Sequence, residues 1–394
     1  MIHPTDEVKP NRNATAGTFD PRRRDRGCRR ITTVVTGMAM RTAATSDYPP
    51  PSKRGKHSAV PVKEAAMEFH PIIGVCLGLA VLSGSACALD AQTARAEGAF
   101  NRTLTVSGPV DLEVHTGSGD IQIRSGAPGT VQVRGHVWFW SAWTGMSAAE
   151  RVRQVEADPP IEQSGNVIRL GAPQGAWAWD GVSISYDVTV PPDARVRMRS
   201  GSGDQNLAGV RGPVDAGAGS GDIQIGPAGG DVRASTGSGD IDLQRIDGSV
   251  FARTGSGVIT AMAVKGDVDI HTGSGRVSVT QAQGQTDVTT GSGDITVSEA
   301  RGALQLRAAS GDVAVDGEPV GSWTVGTASG NVTVHVPANA AFDLDVHSAS
   351  GRIDSEHSIT MLGDVSRRRE LRGRVGNGGP RLDLSTSSGA ISIR

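Results

Sequence analysis

The residues of this chain that could do chemistry are aspartates at a fixed position after a Gly-Ser-Gly turn. They are Asp120, Asp204, Asp222, Asp240, Asp294 and Asp312. Regularly spaced aspartates bind calcium in nonapeptide rolls of the form G-G-x-G-x-D-x-U-x. Here Asp follows the glycine directly, and Val258, Arg276 and Arg352 take the same position elsewhere, which would interrupt an ion ladder. The pattern therefore predicts structural turn aspartates, with no metal and no other cofactor.

Enzyme chemistry is the second possibility. Some carbohydrate lyases and hydrolases are parallel β-solenoids, a fold of stacked coils that is likewise built from short sequence repeats. Such enzymes cluster carboxylates, or Arg with Asp, in a groove on one sheet face. The outward positions here hold scattered Asp, Gln, Ser, Thr and Arg, and His115 and His271 occupy equivalent repeat positions. The chain also has no GxSxG, P-loop or HExxH motif. We therefore expect no catalytic residue and no enzyme, and keep a carbohydrate-active solenoid as the minor alternative.

Composition narrows the class of protein further. Glycine accounts for 53 of 394 residues and aromatic residues for only 4%, which is typical of tight turns joined by short strands. The formal net charge is -2, so the chain lacks the basic field that nucleic-acid binding needs. We expect no nucleic-acid partner.

A glycine that recurs at a fixed interval sets the architecture. The second glycine of the turn lies at Gly203, Gly221, Gly239, Gly257, Gly275, Gly293 and Gly311, in successive intervals of 18. Each interval contains two halves of nine with apolar residues at positions two and four, such as Val268 and Ile270. Alternation of period two places these side chains on one face of a short strand, and glycine permits the turn that follows.

Two strands and two corners in each interval predict one coil of a solenoid, in which each strand pairs with the strand one coil further on. Parallel crossovers of this kind are right-handed. The predicted fold class is all-β: a right-handed parallel β-solenoid of about 18-residue coils, with a Trp-rich, partly helical insertion near its N-terminal end. Two-sided and triangular coils both fit the pattern.

Several motifs stand out in the sequence: the TGSGDI units, the segment Tyr186 to Pro191 leading into RVRMRSGSGD, the segment Val334 to Pro337, and the ending STSSGAISIR. These motifs resemble the bacterial domain of unknown function 4097, a family of candidate adhesins with β-strand repeats. The resemblance spans about residues 100–394. It implies adhesion or surface binding, without a defined ligand or catalytic site.

The insertion, at about residues 135–200, interrupts the repeat. Ser147 and Glu150 predict a capping box at the start of a helix over 147–157, and residues 130–140, 166–170 and 182–190 predict strands. Five of the six tryptophans lie here: Trp138, Trp140, Trp143, Trp177 and Trp179. We expect these tryptophans and the helix to cover part of the N-terminal end or flank of the solenoid; the alternative is an aromatic platform that binds sugar or peptide.

The N-terminal part predicts export. Residues 1–66 are expected to form a disordered leader, with translation starting near Val62 or Met67. Residues 67–96 predict a signal peptide and processing region, because an uncharged apolar run from Ile72 to Leu82 precedes small residues. Lipidation of Cys87 is an alternative to simple cleavage, and it would be the chain's membrane contact. The expected location is periplasmic, cell-surface or secreted.

Two features near the C-terminus complete the predictions. The basic segment Ser366 to Arg374 is expected to be a solvated loop, with contact to anionic lipid or polysaccharide as the alternative. Ile391 and Ile393 are expected in an uncapped last strand, whose free edge would allow self-association.

Taken together, the patterns predict an exported binding, adhesion or scaffolding module whose partner is an unidentified surface glycan or protein. A structural or regulatory envelope protein with no adhesive role is the alternative.

Overall fold

Two long β-sheets, sheet A and sheet B, contain all the named strands of the described residues. The computed structural model describes residues 95–140, 147–171, 181–361 and 369–394, which lie in one compact unit, Ala86–Arg394. Most strand pairs in both sheets are parallel, and the described residues contain a single α-helix. The chain is therefore an all-β protein with two long, mostly parallel sheets.

The N-terminal elements combine both sheets with the helix. They are β1 (Arg95–Thr105), β2 (Asp111–Thr116), β3 (Ile121–Ser125), β4 (Thr130–Trp140), α1 (Ala148–Ala157), β5 (Ile161–Ser164), β6 (Val167–Leu170) and β7 (Val182–Val190). β2 and β3 pair directly with β8 (Arg195–Ser200) and β9 (Gln205–Ala208), the first strands of the regular array. The described strands between β3 and β8 lie outside this first coil, where β4 runs antiparallel to β7 and β5 runs antiparallel to β6.

The regular array continues with strands that alternate between the sheets. In sheet B they are β10 (Val214–Ala218), β12 (Val232–Thr236), β14 (Val250–Ser256), β16 (Val268–Ser274), β18 (Thr286–Ser292), β20 (Leu304–Ser310) and β22 (Trp323–Ser329). In sheet A they are β11 (Ile223–Ile225), β13 (Ile241–Ile246), β15 (Ile259–Val264), β17 (Val277–Ala282), β19 (Ile295–Ser298), β21 (Val313–Asp316) and β23 (Val332–His335).

The pairing register in this array has the period of the sequence repeat. Val250 pairs with Val268 in sheet B, and Ile259 pairs with Val277 in sheet A, each partner lying one repeat further on. Equivalent side chains therefore stack in columns along both sheets. The inward columns hold Val, Ile, Leu and Ala and form one continuous core. Trp323 lies in this core with 1% of its surface exposed.

Glycine is required at the recurring turns by close packing of successive coils. A Cβ atom at Gly239 would clash with the carbonyl oxygen of Gly221, and one at Gly257 with that of Gly239. At Gly239 and Gly257 this close approach, and not a positive φ, is the reason for glycine. In later coils the same turn does have positive φ, with 154° at Gly293 and 139° at Gly311. At the other corner of the coil the residues with positive φ carry side chains: Arg245, Ala263, Gln281 and Glu299.

Helix α1 closes the N-terminal end of the core. Ser147 caps it and forms the predicted capping box with Glu150, and Val152 and Val155 are buried. Glu156 Oε1 accepts a 2.9 Å hydrogen bond from the backbone N–H of Ala99 on β1. The helix therefore provides a partner for the outermost strand of sheet A, which would otherwise present unpaired backbone groups.

The C-terminal elements are not stacked in chain order. They are β24 (Phe342–Ser348), β25 (Ile353–Ser355), β26 (Ile359–Met361), β27 (Glu370–Val375), β28 (Arg381–Ser388) and β29 (Ile391–Ile393). β28 lies between β22 and β24, and β29 lies between β23 and β25. The expectation that Ile391 and Ile393 form an open sheet edge is therefore wrong, because both sides of β29 are paired.

The basic C-terminal segment is also ordered differently from the predicted loop. Residues 370–375 form β27, which is antiparallel to both β24 and β26; residues 366–368 lie outside the described residues. Arg372 and Arg374 pair with Asp345 and Asp343 at 3.2 and 3.0 Å. These two arginines therefore hold β27 against β24.

Candidate functional site

Trp138 lies on the outer face of sheet A. Along β4 the side chains of Val137 and Phe139 are buried in the core, so the alternation of the strand directs Trp138 to the opposite face. Trp138 is half-buried and stacks on the exposed His136, with ring centres 6.5 Å apart and planes at 26°. Trp138 thus does not cover the open end of the core, a place taken by α1.

Of the other residues predicted for the aromatic platform or for lipidation, Trp140 alone lies among the described residues. Trp140 ends β4, opposite Arg95 on β1. Trp143, Trp177, Trp179 and Cys87 lie outside the described residues. The predicted aromatic platform is therefore represented in the structure by Trp138 and its neighbour His136.

The recurring aspartates connect one coil to the next. The backbone N–H of Asp222 donates to Asp204 Oδ1 at 2.9 Å, and the N–H of Asp240 donates to Asp222 Oδ1 at 2.8 Å. Each carboxylate thus accepts the N–H of its own successor one coil later. Within the described ranges no group of three or more His, Cys, Asp or Glu side chains is placed to hold a metal ion.

Sheet B carries an aromatic side chain on its outer face that the sequence analysis did not single out. Phe251 on β14 is half-buried and faces outward between the buried residues Val250 and Ala252. Its strand neighbours are Arg233 on β12 and Asp269 on β16. Phe251 therefore lies in a column of outward positions that otherwise hold charged and polar residues.

Two guanidinium groups lie against the Phe251 ring. The Cζ atom of Arg233 is 5.2 Å from the ring centre, and that of Arg253 is 5.4 Å from it. The ring of His271 on β16 is tilted by 57° at a centre-to-centre distance of 6.2 Å. Cation–π attraction at these distances holds both guanidinium groups in place on the ring.

A groove of about 500 Å³ crosses sheet B, and Phe251 is one of the residues that line it. Its lining residues come from five neighbouring strands, from β8 to β16. At about 4.8 Å between strands, this corresponds to a length of about 19 Å. Below, the Phe251 groove means this depression together with Arg253, which lies beside it on β14.

The carboxylates of this face already have partners. Asp215 Oδ2 accepts a 2.8 Å hydrogen bond from Arg199, and His271 Nε2 lies 2.8 Å from a carboxylate oxygen of Asp269. Asp231 and Asp267 accept the backbone N–H groups of Ser249 and Gln285, both at 2.9 Å. The acidic side chains of the groove therefore contribute to the stability of the coils.

The two arginines at Phe251 differ from other arginines of the same face. Arg199 is bonded to Asp215, and Arg197 lies 3.7 Å from Asp111. Among the described residues, no carboxylate forms an ion pair with Arg233 or Arg253, and both side chains are exposed. Their N–H donors are available to a ligand.

His115 and His271 occupy the same outward column, as their repeat positions predicted. His115 Nε2 is 2.9 Å from Oε1 of Glu113, and His271 has the corresponding contact with Asp269. The hydrogen bond from His115 is the largest factor that holds the pKa of Glu113 below its usual value of 4.5. Each histidine thus pairs with an acidic residue two positions earlier on its own strand.

One signal in the sequence could have revealed the groove. Phe251 is the aromatic residue in an outward position of the regular repeat, and an arginine follows it two residues later on the same face. Arg233, one repeat earlier, belongs to the adjacent strand. An outward aromatic residue between two basic residues in a repeat of small polar residues is a pattern typical of a binding site.

A family comparison agrees with the motifs of the repeat. Residues 227–394 match the model described as Toastrack DUF4097. This segment matches the Toastrack DUF4097 family. The predicted resemblance to that family is thereby confirmed, over a shorter range than residues 100–394. Phe251 and Arg253 lie within the matched Toastrack segment, as do β28 and β29.

Three solved structures align with 75% of the chain. A candidate cell adhesion protein from Clostridium sporogenes has 10% identity and a TM-score of 0.19, with 75% of this chain and 99% of that chain covered. A candidate adhesin from Bacteroides fragilis has 12% identity and a TM-score of 0.31, covering 75% and 97%. A candidate adhesin from Parabacteroides merdae has 8% identity and a TM-score of 0.22, covering 75% and 96%. At such values these structures carry no argument about the function of this chain.

Comparison with curated proteins finds no match. Helix α1, the single helix of the described residues, is neither long enough nor apolar enough to cross a membrane.

Proposed function

We propose that this protein is an exported binding module of the bacterial cell envelope, with an adhesive or scaffolding role and without catalytic activity. Its body would be a right-handed parallel solenoid whose coils follow the sequence repeat. The observation that carries the proposal is the outward Phe251 ring between Arg233 and Arg253 on a long polar sheet face. Aromatic residues and arginines are the residue types that dominate the energetics of binding surfaces.

The arrangement of the carboxylates supports binding over catalysis. Hydrolysis of a glycosidic bond requires two carboxyl groups that face a common substrate, one of them as a proton donor. In the Phe251 groove, Asp215 and Asp269 contact basic side chains, while Asp231 and Asp267 accept backbone N–H groups. Such fixed structural contacts favour a surface that holds a ligand unchanged.

The repeated coils also suit a ligand with many similar contacts. Both sheets present outward columns of polar side chains along the whole stack, so weak contacts can be summed over a long partner. An envelope glycan or a surface protein has that property. Export, as predicted from residues 67–96, would place the faces of the sheets in contact with such partners.

The proposal is tested with the purified full chain and labelled envelope material from bacteria, in a saturation binding assay. We expect saturable binding that Phe251→Ala weakens about tenfold or more, the effect expected for an aromatic residue at the centre of a binding surface. Thr324→Ala is the matched control, because Thr324 lies on β22 in the same outward column as Phe251 but outside the groove. It should bind like the unaltered chain.

Trp138→Ala serves as the second arm of the same assay. A loss confined to Trp138→Ala would move the binding surface to sheet A and retain the proposed function. Absence of binding to any envelope fraction by the folded, unaltered chain would overturn the proposed function and favour a structural or regulatory envelope protein.

A further inference from the structure

The pair of guanidinium groups on Phe251 can bind an anion, because among the described residues neither group is paired with a carboxylate. Arg233 and Arg253 reach the ring from two directions, one from the adjacent strand and one from the same strand. A guanidinium that rests on an aromatic ring still directs its N–H donors outward, in a fork that matches a carboxylate. The ring therefore holds two anion-binding forks in place before a ligand arrives.

We propose that the Phe251 groove binds a glycan that bears carboxylate groups, with Arg233 and Arg253 as the residues that hold a sugar carboxylate. This inference rests on the proposed binding function and names the class of its ligand. The charge of the ligand follows from the two unpaired guanidinium groups. The length and polarity of the groove indicate that the ligand is otherwise an extended polar chain.

An extended polar chain fits this groove better than a folded partner or a peptide strand. The groove runs across five strands whose backbone N–H and C=O groups are already used in sheet pairing, so a peptide could not extend the sheet at this face. Its outward side chains include alternating Arg197, Asp215 and Arg233. Sugar hydroxyls both donate and accept hydrogen bonds, so one glycan chain can satisfy acidic and basic neighbours in turn.

The spacing of basic residues along the groove also suits a repeating anionic chain. Arg197 on β8 and Arg233 on β12 lie two coils apart in one column, a distance of about 9.6 Å along the stack. A linear glycan that carries a carboxylate on every second sugar presents negative charges at a similar interval. Arg197, whose contact with Asp111 is as long as 3.7 Å, would then lie close to the carboxylate next to the one held by Arg233 and Arg253.

The test measures binding of the full chain to uronate oligomers by titration calorimetry. The probes are oligogalacturonate, an alginate oligomer and a glucuronate-containing oligomer, each compared with the same oligomer after its carboxyl groups have been reduced to alcohols. We expect at least one native oligomer to bind and its reduced form to bind roughly tenfold or more weakly, because charge-assisted hydrogen bonds are lost. Raising the salt concentration should weaken the binding of the native oligomer.

Variants locate the site and separate charge from geometry. Arg233→Gln and Arg253→Gln should each weaken binding roughly tenfold. Arg253→Lys should recover only part of the loss, because an ammonium group keeps the charge but lacks the fork. Arg307→Gln is the matched control: it removes the same charge from the outward column of Arg253, but Arg307 lies three coils further on, outside the groove, so affinity should be unchanged. Circular dichroism of each variant verifies the fold.

The possible results separate this inference from the proposed function. Equal binding of native and reduced oligomers, or unchanged affinity in Arg233→Gln and Arg253→Gln, would overturn the carboxylate assignment while leaving a binding module. Binding of envelope material but of no uronate oligomer would also overturn the assignment. If the folded chain binds neither, the proposed function fails, and the ligand assignment fails with it.

Discussion

The backbone N–H of Val258 donates a 2.7 Å hydrogen bond to Oδ1 of Asp240, which occupies the same position one coil earlier. Val258 itself has no side-chain acceptor to offer to Arg276, the equivalent residue of the next coil. The column of side-chain acceptors therefore stops at Val258 and resumes at Asp294, which accepts from the N–H of Asp312 at 3.0 Å.

An acceptor placed at this interruption should stabilise the protein. We expect Val258→Asn to raise the free energy of unfolding by about 1 kcal/mol, through a new hydrogen bond from the N–H of Arg276. Asn331 already plays this role further along, where its Oδ1 accepts the N–H of Ala390 at 3.0 Å. Urea unfolding measures the change. Val258→Ala is the control, and an equal gain in that variant would show that the hydrogen bond is not the cause.

Two buried threonines of one inward column should respond oppositely to the same substitution. Thr254 Oγ1 donates to the carbonyl of Gly239 at 3.1 Å, whereas Thr290 Oγ1, two coils further on, is buried without a hydrogen-bond partner in the described structure. Thr254→Val should cost about 1 kcal/mol of stability. Thr290→Val should be neutral or stabilising by about 1 kcal/mol, because it removes an unsatisfied hydroxyl.

Thermal unfolding of both variants checks this pair. Each replaces a hydroxyl by a methyl group in a residue that is 2% exposed, so their side-chain volumes and burial are matched. Equal losses of stability in the two variants would contradict the role assigned to the Thr254 hydrogen bond.

The repeat could be read from the sequence because its spacing determines which residues stack. The fixed interval between glycines corresponds to the register in which Val250 pairs with Val268. The helix after Ser147 was also predictable, since a capping box is a local pattern within one helical turn. The strands, their pairing register and the helix could therefore be predicted from local signals and a fixed period.

The ends of the stack and the groove were not predictable by the same means. The position of β29 between β23 and β25 depends on contacts between distant segments, which the local pattern around Ile391 does not encode. Phe251 was not predicted as a site residue, because a single outward aromatic residue does not interrupt the repeat. Its significance comes from Arg233, which becomes its neighbour only when the strands pair.

The left-handed residues at one corner of the coil offer a third prediction. Ala263 has φ of 56°, a conformation that costs a residue with a side chain about 1–2 kcal/mol. Ala263→Gly removes this cost but adds about 0.5–1 kcal/mol of backbone entropy in the unfolded chain, so a net gain of about 0.5 kcal/mol is expected. Gly209, at the same position three coils earlier, shows that glycine is accommodated with positive φ.

Ala263→Val supplies the matched opposite change. A β-branched side chain strongly disfavours positive φ, so this variant should lose more than about 1 kcal/mol. Chemical denaturation of both variants measures the two effects. A loss of stability in Ala263→Gly would contradict the strain assigned to this corner.

The contact between Glu113 and His115 should make a small, pH-dependent contribution to stability. Because the pKa of Glu113 in the folded protein lies below its usual value of 4.5, the contribution is fully present above about pH 4.5. It is lost as the pH falls through the lowered pKa. Glu113→Gln should therefore reduce stability by about 0.5 kcal/mol at pH 7, and the difference should shrink in acid.

Urea unfolding at neutral and acidic pH measures this difference. Glu162→Gln is the control, because Glu162 is an exposed glutamate on strand β5 of the same sheet. A deficit of Glu113→Gln that is the same at both pH values would contradict the electrostatic origin of the effect.

β28 and β29 lie between the regular array and the strands β24 and β25. This placement has a consequence for the order of events during synthesis. A chain made from its N-terminus produces β24 and β25 first, yet both must finally pair with strands that are made after them. The last coils therefore cannot assume their final order until residues 381–393 have left the ribosome. A chain interrupted before Arg381 therefore lacks an inner layer of the stack while keeping the outer one.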